Sequence, residues 1–189
     1  MSRRFSFPTV LLSASLWCGV LAAADSGPTE NEPAPELKVA TVVGDHIALE
    51  TNGKELDWAK QRDKSPTIVF FVRTDRFTRP LARTLKQVDA ELAKIPDAAA
   101  VAVWLTEDAD KTKNHLPLVQ QSLDLKRTIY AYFAKDRAGP DNWGVNPDVD
   151  LTAVVVRDGK VVKRFGIVGP NEKTAAEILA AFPIEKKTP

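Results

Sequence analysis

The chain has 189 residues, 44% of them hydrophobic and 27% charged, with 26 basic side chains against 25 acidic ones. That is the length of one domain with appendages, in the mix of an ordinary soluble globular protein. The near-neutral balance gives no electrostatic ground for a nucleic-acid partner.

Residues 1–24 read as a secretory signal. Arg3 and Arg4 form a charged start, an apolar run extends from Val10 to Ala23, and Ala22-Ala23-Ala24 is a small-residue cleavage site ahead of Asp25. The apolar run is too short to span a bilayer comfortably and has no companion. Cleavage between Ala24 and Asp25 is therefore expected, with no stable membrane insertion afterwards. Trp17 before Cys18 argues against lipidation, which wants a small residue there. Cys18 and Met1 are the only sulfur-bearing residues. A mature chain starting at Asp25 would hold no sulfur, so it could offer neither thiolate nor disulfide nor sulfur-bound metal. Without Arg3 and Arg4 the balance becomes 24 basic against 25 acidic, or −1.

DSGPTENEPAPE, residues 25–36, is acidic and Pro-rich and is expected to form a disordered spacer. A globular pattern follows over 37–184, and 185–189 reads as a flexible tail. VATVV (39–43), Gly44-Asp45 and HIALE (46–50) suggest a hairpin. ELDWAKQR (55–62) suggests a short helix. TIVFFV (67–72) is a continuous β-branched and aromatic run, the pattern of a strand buried on both faces. Leu81, Leu85, Val88 and Leu92 recur at helical spacing and predict a helix over about 78–94. AAAVAVWL (98–105) is a second buried strand. A helix is expected over 112–123, with Pro117 tolerable only in its first turn. TIYAYF (128–133) is a third strand, and AGPDNWG (138–144) a turn or short helical piece. TAVVV (152–156), Arg157-Asp158-Gly159-Lys160 and VVKRFGIV (161–168) form a second hairpin. Asn171 is expected to cap a final helix, TAAEILAAF. The order predicts an α/β fold with a central mixed sheet flanked by helices on both faces.

This ordered set resembles the thioredoxin-like superfamily, in its exported redoxin branch of thiol:disulfide interchange and peroxiredoxin-like proteins, over about 37–182. The pieces that carry the resemblance are the leading hairpin, TIVFFV ahead of a helix, AVAVWL with its acidic loop, Trp143-Gly144-Val145, and TAVVVRDGKVVKRFGIVG. The resemblance implies a thioredoxin-like fold with an N-terminal hairpin extension. It also implies two cysteines just after the first core strand, where helix N–H groups and the dipole stabilise a thiolate. Here Arg76 and Arg79 occupy the matching positions, with Phe77 and Thr78 between them. Arginine stays protonated and cannot act as the nucleophile. The family's cis-proline matches Leu151, followed by Thr152. A cis bond there would cost about 3 kcal/mol, so a trans Asp150–Leu151 bond is expected.

Two readings of the junction stay open. Arg73, Arg76 and Arg79 could form an anion site at a helix N-terminus. Alternatively they are solvated charges beside Asp75 or Thr78 as N-cap, with Pro80 in the first turn. Trp143 could stack on a ligand or pack in the core, and Trp104 is expected in the core. Glu107-Asp108-Ala109-Asp110 reads as a capping loop rather than a calcium loop. His46 and His115 are isolated and read as structural or surface residues. There is no phosphate loop, zinc pattern or serine nucleophile elbow, and no cofactor or metal is expected. The favoured function is an exported, periplasmic or extracellular module without thiol chemistry that binds a peptide or protein. The candidate binding residues are Arg73, Arg76, Thr78, Arg79, Trp143 and Thr152. The alternative is a binder of, or enzyme for, an anionic small molecule at the arginine-rich helix start.

Overall fold

The structure, a computed structural model, describes residues 24–43 and 54–182. The leader up to residue 23, His46 with the second half of the first expected hairpin, and the tail after 182 lie outside the described residues.

The two uninterrupted apolar runs form β3 (Thr67–Arg73) and β4 (Ala99–Leu105), both buried along nearly their whole length. They are parallel neighbours at the centre of a seven-stranded sheet, in the order β2-β1-β5-β4-β3-β6-β7. Here β1 is Lys38–Val43, β2 is Glu55–Asp57, β5 is Thr128–Phe133, β6 is Leu151–Arg157 and β7 is Lys160–Ile167. β5 runs parallel to β4, whereas β6 pairs antiparallel with both β3 and β7. β1 pairs antiparallel with β5 and, among the described residues, with β2. The β6–β7 turn needs φ > 0 at two consecutive positions. Asp158 (φ 50) and Gly159 (φ 67) supply it, as a two-residue hairpin favours.

The helices are α1 (Trp58–Gln61), α2 (Arg79–Leu92), α3 (Ala109–Leu123) and α4 (Thr174–Ala181). The spacing of 4, 3 and 4 in α2 places Leu81, Leu85, Val88 and Leu92 in one core, together with Leu116, Val119 and Leu123 of α3 and Ile178 of α4. α2, α3 and α4 therefore share one face of the sheet. The chain steps from β3 to β4 to β5 in one direction across the sheet, and right-handed crossovers then put both connecting helices on the same side. Of the helices among the described residues, only short α1 lies on the second face, where Trp58 and Trp143 pack on Val69, Phe71, Val101 and Val103. The expectation of helices on both faces thus holds only through α1.

Four local expectations change. Residues 55–57 pair as a strand with β1 before the helix begins. α3 starts at Ala109, because Asp108 accepts from the Lys111 N–H at 2.9 Å, and Pro117 stands inside it. The carbonyl of Lys113, which Pro117 cannot serve, belongs to an exposed stretch of the helix. α4 begins at Thr174, where TAAEILAAF begins, but Lys173 rather than Asn171 takes its N-cap position. Asn171 accepts from the Lys173 N–H, and the Thr174 hydroxyl accepts from the Asn171 N–H, so Asn171 braces the turn ahead of the helix.

The last change is the largest. Residues 25–36 are not a free spacer but lie along the outer edge of β7. Asn31 N–H donates to Val161 O, Val161 N–H to Glu32 O, and Ala34 N–H to Gly159 O. The Arg164 N–H donates to the Glu30 carboxylate, and the Arg164 guanidinium to Gly27 O at 2.6 Å. An edge strand offers unpaired backbone groups, so even a polar segment gains hydrogen bonds by lying there.

Candidate functional site

The junction after β3 is one 3-10 turn, Thr74–Arg76, then Phe77 and Thr78, then α2 with Pro80 in its first turn. Thr78 takes the N-cap position with extended backbone, but its side chain makes no capping hydrogen bond. β3 and β6 are antiparallel, with Val72 opposite Leu151 and Phe71 opposite Thr152. The end of β3 therefore meets the loop that leads into β6.

Arg73 grips Asp75 with Nε and Nη2, at 3.1 and 2.8 Å, and donates from Nη1 to the Pro147 carbonyl. Hydrogen bonding to Arg73 outweighs partial burial and holds the Asp75 carboxyl below its ordinary value. Arg76 donates to Asp148 O at 3.0 Å and to Asp150 Oδ1 at 3.2 Å. Asp150 Oδ2 in turn accepts the Gly169 N–H at 2.9 Å. One carboxylate thus joins the 3-10 turn ahead of α2, the start of β6 and the turn before α4. Arg79 is exposed, and no hydrogen bond or ion pair ties it to the described residues.

The three arginines do not converge. Arg73 and Arg76 spend their donors on the protein's own carbonyls and carboxylates, while Arg79 faces solvent. Trp143 and Thr152 do not join them either. Both are fully buried, at 0% exposure, on the sheet face opposite α2. Trp143 packs on Phe71, with ring centroids 5.2 Å apart, and donates to Glu36 O at 3.1 Å. The Thr152 hydroxyl lies 2.6 Å from that of Ser26. Successive strand residues face opposite sides, so Leu151 joins the helix-side core while Thr152 lies behind it. Every described peptide bond is trans, including Asp150–Leu151. In the acidic loop Asp108 caps α3 and Glu107 pairs with Arg137 at 3.0 Å. Ala24 and Asp25 lie beside β7, and Asp25 pairs with Arg164 at 2.7 Å.

Asp148 and Asp150 were not singled out from the sequence, although a signal was present. The antiparallel pairing of TIVFFV with TAVVV forces the arginine-rich stretch 73–79 to meet Pro147-Asp148-Val149-Asp150, a run of opposite charge. A cavity of about 450 Å³ beside the junction was also missed. It lies at the carboxyl ends of β3 and β4, over Trp104 and Leu116, and is flanked by Thr74, Lys111, His115 and Arg137.

No protein-family model and no curated relative matches the sequence. Solved structures do. One, from Chlorobium tepidum and assigned as the thiol:disulfide interchange protein DsbE, superimposes with a TM-score of 0.56 at 20% identity, over 84% of this chain and 99% of that one. A peroxiredoxin-like protein from Aquifex aeolicus gives 0.51 at 14% identity, over 84% and 88%. A secreted thiol-disulfide isomerase from Corynebacterium glutamicum gives 0.51 at 14% identity, over 82% and 96%. Such identities speak for the fold alone. With its mixed sheet, its helix order and these neighbours, the chain has a thioredoxin-like fold.

Proposed function

We propose that this protein is exported and works without thiol chemistry, as a thioredoxin-like module that binds a peptide or another protein. The observation that carries the reading is the β3–α2 junction. Where the resemblance implies two cysteines it has Arg76 and Arg79, and the chain's single cysteine is Cys18, far upstream. A lone cysteine cannot close a disulfide within the chain. The leader-like start of the sequence supports export. Among the described residues no helix is long and apolar enough to cross a membrane. The strap along β7 needs only residues from Asp25 onward for nearly all its contacts, so cleavage after Ala24 is compatible with it.

Binding by the rim of the junction is favoured over capture of a small anion there, because Arg73 and Arg76 already serve internal acceptors. The rim keeps Arg79 free. It also carries Val168, 62% exposed, next to the Gly169 that Asp150 holds. A cation beside an apolar side chain suits an acidic, partly apolar peptide.

The test is cross-linking and pull-down from the exported fraction with wild type and Arg79→Glu/Val168→Asp, two positions that hold no structural bond. Partners captured by wild type should be lost with the variant. Equal recovery of every partner would remove the rim as the binding surface. Purified mature protein should begin at Asp25 by intact mass and should turn over neither disulfide nor peroxide substrates. Reproducible turnover would sink the reading.

A further inference from the structure

Beside the cavity over Trp104 lies a second, apolar groove of about 220 Å³ formed by Phe77, Leu118, Val119 and Leu123, and His115 is the residue that borders both. Lys111, His115, Leu118 and Ser122 follow one another at spacings of 4, 3 and 4, so a single stripe of α3 lines the whole trough. From Lys111 to Leu123 it runs about 18 Å at the helical rise of 1.5 Å per residue. Its two ends differ in character. The Lys111 end is polar, over a floor of Trp104 and Leu116. The Leu123 end is apolar, and Leu118 there is 60% exposed.

The charges facing the polar end can be assigned one by one. Asp75 is taken by the Arg73 fork, with Arg137 at 3.8 Å, and Glu107 is taken by Arg137 at 3.0 Å. Asp108 is spent on capping α3, and the hydroxyls of Thr106 and Thr112 bond to each other at 2.9 Å. The Lys111 ammonium and the His115 imidazole remain, with no partner among the described residues. Asp75 and Glu107 are paired with arginines and Asp108 is engaged by the backbone at the start of α3, while the unsatisfied donors are basic.

We propose that this trough binds an amphiphilic organic carboxylate, with its head between Lys111 and His115 and its apolar body along Phe77, Leu118 and Leu123. A carboxylate there accepts charge-assisted hydrogen bonds, and a hydrocarbon chain covers the apolar surface that the groove leaves open. An ammonium head finds Asp75 and Glu107 already paired with arginines and Asp108 already accepting at the start of α3. The trough lies on the α3 side of the junction and does not depend on the rim as a protein-binding surface. The pull-down above can fail without touching it.

The test is an NMR titration of the mature protein with octanoate, acetate and octylammonium. Octanoate should saturably shift the resonances of Trp104, Thr112, His115 and Leu118. Acetate, which lacks the body, and octylammonium, which has the wrong head, should not. Lys111→Gln/His115→Gln, two exposed changes that leave the fold intact, should weaken octanoate by at least about tenfold, the loss of the Lys111 charge-assisted contact together with the His115 hydrogen bond. Leu118→Asp should weaken it as well. Octylammonium binding as well as octanoate, unchanged affinity in the double variant, or no saturable octanoate shift at these residues would each overturn the proposal.

Discussion

Asp75 stands between Arg73 and Arg137, and its carboxyl is held below the ordinary value chiefly by the Arg73 hydrogen bonds. A depressed folded pKa means that the contribution to stability is complete above the unfolded value, about 4, and is lost as pH falls through the folded one. In urea titrations Asp75→Asn should therefore be less stable than wild type near neutrality, and the two should converge as pH drops below about 4. Equal stability of the two near neutrality would mean that Arg73 holds the loop through Pro147 alone. Gly27 is a second decisive residue. Its φ is 105°, and a Cβ there would lie 3.1 Å from Arg164 Cβ and 3.2 Å from a Val154 methyl. Gly27→Ala should lift the strap, because a left-handed backbone costs about 1–2 kcal/mol for a residue with a side chain. Hydrogen exchange is the check. The amides of Asn31 and Ala34 should exchange faster while those of the β3–β4 core keep their protection.

At the scale of elements, two joints carry more than their length suggests. Asp89 sits in α2 but is buried. It accepts from the N–H groups of Lys126 and Arg127 at 2.8 Å each and from the Thr128 hydroxyl at 2.7 Å, pinning the α2 helix to the turn before β5. Its position, four residues after Leu85 and three before Leu92, places it on the apolar stripe, which is where an acid in a sequence pattern should draw notice. Asp89→Ala leaves three donors without their acceptor and should cost on the order of 3 kcal/mol in chemical denaturation. A loss near zero would mean that water replaces the carboxylate. The other joint is the strap on β7. Despite partial burial, the hydrogen bond to Lys163 and that from the Arg164 N–H hold the Glu30 carboxyl below its ordinary range. Deleting residues 25–34 bares the Val161 and Arg164 backbone groups on an edge strand. The shortened protein should self-associate in a concentration-dependent way by analytical ultracentrifugation. A strictly monomeric deletion variant would show that the edge needs no cover.

Across the whole molecule, the sequence by itself determined the strands other than β2 and most of the helices. Continuous apolar runs, a 4-3-4 spacing and an Asp-Gly turn act locally, through burial of one face and the backbone angles that a turn requires. It also determined the chemistry that is missing, since no arrangement of a chain with one cysteine makes a disulfide within itself. It misplaced the start of α3, because Pro117 looks like a first-turn residue until its exposed setting is known. It also misread residues 25–36, because a polar, Pro-rich composition reports what a segment can bury and not which unpaired backbone it can reach. Only the tertiary structure decided the fate of the arginines. Whether Arg73, Arg76 and Arg79 face a ligand or the protein depends on what the antiparallel β3–β6 pairing brings opposite them. That is Pro147, Asp148 and Asp150, some 74 residues away in the chain. In the same way Thr152 adjoins the junction in the sheet yet lies behind it, because strand alternation turns it to the other face, and Trp143 packs on that face from the 3-10 turn ahead of β6, with residues of the strap against both.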